Sequence, residues 1–240
     1  MSDGNINFGG FDIFGLSDST ANPTYGDARW LPQSSSNDDQ ASFAVKQDIN
    51  GDEVARSAAF DNKNEVSGSY KWNDVTGLGA ALPKIGDISN SYITTGVTVS
   101  SSNDDFPSIE FTGHQHDTNV HDTTAARNLY SWPADVTSQL TGAFGAYDIL
   151  VASNDTSAAA VASSSVTFEC DHADVNNASG EHLAGENYNG RMSCSVTYNG
   201  APDEVDTAAN WNITSNNSSR ENTGFETVAY SAERGITQDT

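Results

Sequence analysis

Residues 80–116 read AALPKIGDISNSYITTGVTVSSSNDDFPSIEFTGHQH, and this stretch decides the fold class. In residues 91–100, Ile93, Val97 and Val99 alternate with Thr94, Thr98 and Ser100, with Gly96 between them. In residues 107–114, Ile109 and Phe111 alternate with Ser108, Glu110 and Thr112. A period of two carried by β-branched and aromatic residues is the pattern of a half-buried strand. The connecting residues 101–106 are Ser-Ser-Asn-Asp-Asp-Phe, and Pro107 opens the second run. Asn, Asp and Ser favour turns because their short side chains bond their own backbone. The pair reads as a β-hairpin or β-arch whose apolar face needs a second layer.

The same style extends outward on both sides. Residues 41–47 and 53–60 form two strand-like runs around Asp48-Ile49-Asn50-Gly51-Asp52, in which Asn50-Gly51 is a hairpin signal because both residues tolerate positive φ. In residues 65–73, Val66, Gly68, Tyr70 and Trp72 fall on one face. Residues 158–171 and 190–199 are long strand candidates, the second with Met192, Cys194, Val196 and Tyr198 on one face, and residues 210–214 and 225–233 add two more. Only residues 124–130 and 135–140 read as moderately helical, and Pro133 separates them. Residues 34–40, 61–64, 75–83, 142–147 and 175–189 read as turns or polar loops. The expected fold is mainly β, a sandwich or barrel of six to ten strands with one or two short helices and extended loops. No period of 20–50 residues recurs, so a solenoid is not expected. The expected division is an extended N-terminal arm or loop over residues 1–40 and a single β-domain over residues 41–240. The arm carries Phe8, Phe11, Ile13, Phe14 and Leu16 as anchors.

Charge narrows the function classes. Lys and Arg total 10 against 33 Asp and Glu, a net charge of −23 over 240 residues, spread along the chain. Such a surface repels nucleic acid and anionic membranes rather than binding them. It suits a salty medium or a function that wants a negative surface. Hydrophobic residues are 36% of the chain, and no apolar run approaches the ~20 residues that span a bilayer. The first twenty residues lack a basic segment followed by an apolar one, so no secretory signal is expected. Manufacture in the cytoplasm favours free thiols at Cys170 and Cys194 over a disulfide, although neighbouring strands would allow one.

The search for chemistry returns little. There is no G-x-S-x-G elbow, P-loop or C-x-x-C pair, and GLGAALP at residues 77–83 departs from the dinucleotide fingerprint. DINGDE at residues 48–53 resembles the start of a calcium loop, but its sixth position is Glu53 where glycine is required. His114, His116 and His121, with Asp117 or Asp122, are candidate metal ligands, weighed against a polar loop with hydrogen-bonded histidines. Cys170 has His172 two residues on, without an evident third group to make a nucleophile pair. The reading assigns no catalytic, cofactor-binding or metal residues and no cofactor.

The order of features resembles the tail tube (major tail protein) subunits of tailed bacteriophages. The segments that carry the resemblance are NGDEVA, AFDNKNEVSGSYKW, LPKIGD, SYITTGVTVSSSNDDFPSIEFTGHQH, a His-rich loop, GAFGAYDI and GEHLAGENYNGRMSCSVTYNG, across most of residues 41–200. The long polar segments depart from the simplest tube subunits. The resemblance implies a β-sandwich or barrel of tail-tube type, six copies to a ring, and rings stacked into a conduit for DNA. It implies a virion protein made in the host cytoplasm, a homo-oligomer that meets other tail proteins, lets genomic DNA pass without specific binding, and involves no membrane and no catalysis. The expected contacts between subunits are the 1–40 arm and one long hairpin loop, either residues 101–106 or the 175–189 segment. Two other classes suit the same composition. One is another virion β-domain of the neck, terminator, baseplate or capsid-decoration kind. The other is a polysaccharide-degrading virion enzyme, with Trp30, Trp72, Trp132 and Trp211 as sugar platforms.

Overall fold

The quoted stretch forms a hairpin. Its strands pair antiparallel with Val97 opposite Phe111 and Val99 opposite Ile109, so the alternating apolar residues fall together on one face. The structure is a computed structural model that describes residues 30–57, 60–74, 77–89, 92–116, 129–142, 144–150, 160–178, 182–200, 211–220, 224 and 226–239. Along the chain the elements are β1 (Trp30–Ser42), β2 (Val45–Gln47), β3 (Glu53–Arg56), β4 (Phe60–Trp72), β5 (Ile88–Ser89), β6 (Tyr92–Ser102), β7 (Ser108–His116), α1 (Ala134–Thr137), β8 (Ala160–Asn176), β9 (His182–Asn199), β10 (Asn212–Arg220) and β11 (Glu226–Gly235). The main sheet runs β1-β4-β7-β6-β8-β9-β11-β10, with β5 paired to β6 off this path. Every pairing is antiparallel. β2 and β3 make a separate two-stranded hairpin. The chain is mainly β, as expected.

One face of the sheet is packed. Val66, Tyr70 and Trp72 of β4, Ile109 and Phe111 of β7, Val166 and Phe168 of β8, and Met192, Val196 and Tyr198 of β9 are all at most 3% exposed. The layer over them is not a second set of strands. It is built from residues 77–87, 129–142 and 144–150, which contribute Leu78, Ile85, Tyr130, Val136, Leu140, Tyr147, Ile149 and Leu150 to the same core. Prolines and glycines keep this layer irregular: Pro133 caps the one-turn α1, and Gly77, Gly142 and Gly145 take positive φ. Hydrogen bonds fasten the layer down. Tyr198 Oη donates to Asp148 at 2.8 Å, and the Tyr147 amide donates to Ser101 Oγ at 3.1 Å. The tryptophans belong to this core: Trp30 and Trp72 meet at a centroid distance of 4.9 Å, and Trp132 meets Phe168 at 5.2 Å. Trp211 is buried beneath the Arg234 guanidinium, which lies 4.6 Å from its ring centroid.

Several sequence expectations need correction. Residues 34–40, read as a loop, lie within β1, and residues 61–64, read as a turn, lie within β4. The 40/41 boundary therefore falls inside a strand of the main sheet, while residues 1–29 of the expected arm lie outside the described residues. β1 is polar on both faces, so alternation cannot reveal it. It is held by cross-strand polar pairs such as Ser36 with Ser67, at 2.7 Å between hydroxyls, and Gln40 donating to Glu65 at 2.9 Å. The 175–189 segment is largely strand, since β8 extends to Asn176 and β9 starts at His182. Residues 124–128 of the first expected helix lie outside the described residues, and Tyr130 forms a bridge to Ile85. The second expected helix shrinks to α1.

Candidate functional site

The opposite face of the sheet carries hydroxyls. By register, Thr98 lies beside Thr167 and Ser100 beside Ser165, with oxygen separations of 3.0 and 3.3 Å. Ser67, Ser69 and Thr112 continue this surface toward β1, and Ser193, Ser195 and Ser231 continue it toward β10. Ser67 bonds Ser36 at 2.7 Å in the same way, so cross-strand hydroxyl pairs satisfy part of this face without a deep cleft. Carboxylates punctuate the face at Glu110, Glu169 and Glu233. Three described cations share it by register: Lys63 pairs with Glu65 at 3.0 Å, Lys71 pairs with Asp105, and Arg191 is held by Glu169 at 2.8 Å and Asp171 at 2.7 Å. Arg191 and the Asn189 amide hold the Asp171 carboxyl below the usual carboxylate range. Among the described residues, a phosphate reaching this face meets hydroxyls, carboxylates and cations that already have carboxylate partners.

A second surface projects from the β1–β4 ribbon. Residues 41–57 are all exposed, including the whole β2–β3 hairpin. Its turn forms for a local reason: the Asp48 carboxylate accepts the Asn50 and Asp52 amides at 2.8 and 3.0 Å, and Gly51 takes φ +87°. That carboxylate is spent on the turn, as expected for a hairpin in place of a calcium loop. The hairpin is unusual in what it shows to solvent. Ile49 is 97% exposed, Val54 57%, Phe43 47% and Val45 44%. Arg56 lies over the Phe43 ring and pairs with Glu53 at 2.9 Å, which stiffens the base of the hairpin. A smaller aromatic patch lies at the expected 101–106 contact, where exposed Phe106 meets exposed Phe144 edge to face at 5.5 Å. Among the described residues, β1 and β10 each pair on one side only, leaving two strand edges.

The cysteines are buried free thiols. Cys194 sits opposite Val166, and Cys170 lies four residues further along β8, about 13 Å away at strand spacing. A disulfide needs Cα atoms within about 7 Å. Burial pushes both thiols up to about 12. The expected outcome is that a thiol reagent at pH 8 labels neither cysteine in the native chain and both in denaturant, read by mass spectrometry. Rapid native labelling of either would refute its burial.

Of the candidate histidine set, His114 alone has a described side chain. His114 is buried at 8% exposure, whereas His121, Asp117 and Asp122 lie outside the described residues and His116 enters only as backbone in β7. The ring of His114 meets His172 of β8 at 4.2 Å between centroids. His172 is held on both sides, Nδ1 at 2.7 Å from Asn187 Oδ1 and Nε2 at 2.7 Å from Asp174 Oδ1. Burial opposes its protonation, yet the bonds to Asp174 and Asn187 raise its pKa above the ordinary histidine value. With both ring nitrogens engaged, His172 is not placed as a base for Cys170. Sequence reading missed the approach of His114 to His172 because 57 residues separate them and two bulges set the register. One bulge lies between Thr94 and Gly96 and the other between Glu169 and Asp171.

Neither a scan against protein-family models nor a search of curated proteins returned a match. Among the described residues, no helix is long and apolar enough to cross a membrane.

Proposed function

We propose that the chain is a structural subunit of a phage tail tube that assembles through copies of itself into stacked hexameric rings and walls a passage for DNA. The observation that carries this reading is the apolar β2–β3 hairpin held out in solvent beside a sheet with two half-paired edges. An exposed group of large apolar side chains marks an interaction site, and a half-paired edge accepts a strand from a neighbour. The hydroxyl face is the surface suited to the bore. Retention of DNA scales with the cations that contact phosphate, because each contact releases counterions. On this face Arg191 is already matched by Glu169 and Asp171.

Charge sets the conditions of assembly. Subunits at −23 repel one another, and the Debye length falls from about 10 Å at 0.1 M salt to about 3 Å at 1 M. Purified protein is therefore expected to be dispersed at low salt and to form rings or tubes as salt approaches molar, seen by negative-stain microscopy. The melting temperature should rise over the same range. A chain that stays monomeric at all salt and protein concentrations, without ring density in micrographs, would overturn the proposal.

A further inference from the structure

We propose that His114, His172 and Asp174 form a binding site for a divalent transition-metal ion of the zinc class, tying β7 to β8 past the start of β6. This inference stands apart from the tube reading. The three donor atoms lie within 4.8 Å of one another. Tetrahedral zinc with bonds of about 2.0–2.2 Å places its ligands about 3.3–3.5 Å apart, so the longest edge closes by about 1.5 Å or less and the 2.7 Å edge between His172 Nε2 and Asp174 Oδ1 opens by about 0.6–0.8 Å. The two imidazoles and one carboxylate suit zinc, cobalt or nickel, with a position left for water. Calcium and magnesium prefer shells of oxygen.

The topology explains why these donors meet. β6 separates β7 from β8 as far as the row of Thr112, Gly96 and Glu169. Beyond it β6 comes to its first residues, and the bulge after Thr94 places Ile93, not a core-face residue, opposite His114. Ile93 is 2% exposed and stands outside the main core cluster, so it supplies an apolar wall on the His114 side. His172 and Asp174 follow on β8 at i and i+2, which puts both on one face.

Three details point to a cation at this place. First, Asn187 Oδ1 receives the Nδ1 proton of His172, which leaves Nε2 as a lone-pair donor, the orientation that metal-binding histidines adopt. Second, Nε2 stands 2.7 Å from Asp174 Oδ1, so a proton joins the pair here, and a bound cation would take the place of that proton. Third, Gly185 keeps the space open: a Cβ there would stand 2.7 Å from His172 Nε2 and 2.9 Å from Asp174 Oδ1. The surrounding charges are Glu65, opposite His114 on β4, and Lys63, which pairs with Glu65 at 3.0 Å.

The test uses the full chain, stripped with chelator and titrated with cobalt(II), then zinc(II), by calorimetry and visible absorption. One equivalent is expected to bind with ligand-field bands of a nitrogen-containing site, and zinc should displace cobalt and raise the melting temperature by several degrees. Asn187→Ala should weaken binding by about 10–100-fold, the usual effect of losing the partner that orients a liganding histidine. His114→Ala should abolish the cobalt spectrum, with far-UV circular dichroism confirming that the chain is folded. Binding that is absent at millimolar cobalt, or binding with oxygen-only spectra that survives His114→Ala, would overturn the site and assign the cation to surface carboxylates. If His114→Ala does not fold, the apo and Asn187→Ala titrations decide the matter alone.

Discussion

Asp135→Ala is expected to lower the stability of the fold by about 3–5 kcal/mol, the range for breaking a buried ion pair by removing one partner. Asp135 sits on α1 and receives both arms of Arg234 from β11, at 2.7 and 3.1 Å. The pair is asymmetric. The Arg234 side chain is 5% exposed and the Asp135 side chain 41%. The buried charge therefore belongs to the arginine, which cannot shed its proton. Removing the carboxylate leaves that charge against Trp211 without its counter-ion. Removing the arginine leaves a carboxylate that water already reaches, so Arg234→Met should cost less. For a chain of this size, each kcal/mol moves the melting temperature by about 2–4 °C. Asp135→Ala should melt about 6–20 °C lower in calorimetry. The double variant Arg234→Met/Asp135→Ala should recover a large part of the loss, since no unmatched charge remains. A double variant as unstable as Asp135→Ala would show that the cost comes from α1 packing instead.

That pair illustrates what sequence could not reveal. The inner parts of β4 and β9, with β6 and β7, are legible because their buried residues alternate with polar ones, as in Val66, Gly68, Tyr70 and Trp72. Even there one residue misleads. Ile93 belongs to the same odd series as Val97 and Val99, but the bulge after Thr94 turns it to the other face. β1 and the outer half of the β8–β9 ribbon are illegible because they are polar on both faces and stable only through partners distant in sequence. The layer over the core has no period at all, and its link to the sheet through Asp135 and Arg234 spans 99 residues. The hairpin turn at residues 48–52 was readable from Asn50-Gly51. Its role as an apolar projection was not, since Phe43, Val45, Ile49 and Val54 look like strand residues awaiting a core. Only the structure shows that all four stay exposed among the described residues.

Ile49→Ser/Val54→Ser is expected to raise the concentration needed for assembly by about 10-fold or more while leaving the monomer intact. A Val or Ile side chain contributes about 1.5–3 kcal/mol when it passes from solvent into an apolar contact. Losing half or more of that at each of two positions in every subunit removes at least about 1.5 kcal/mol per contact, and each 1.4 kcal/mol is tenfold. The monomer should not notice, because both side chains are already in water, and surface changes of this kind stay within about 0.5 kcal/mol. Sedimentation velocity gives the assembly threshold and thermal melting gives the control. Tubes at the wild-type threshold would remove the hairpin as the joint between subunits. Salt separates the two forces at work. If the hairpin contributes apolar burial, molar salt will not rescue the serine variant, whereas Ile49→Asp/Val54→Asp, which adds repulsion to a chain already at −23, should regain part of its loss as the Debye length shortens. Equal rescue of both variants would mean that the hairpin acts through charge and that its exposed apolar side chains do not carry the contact.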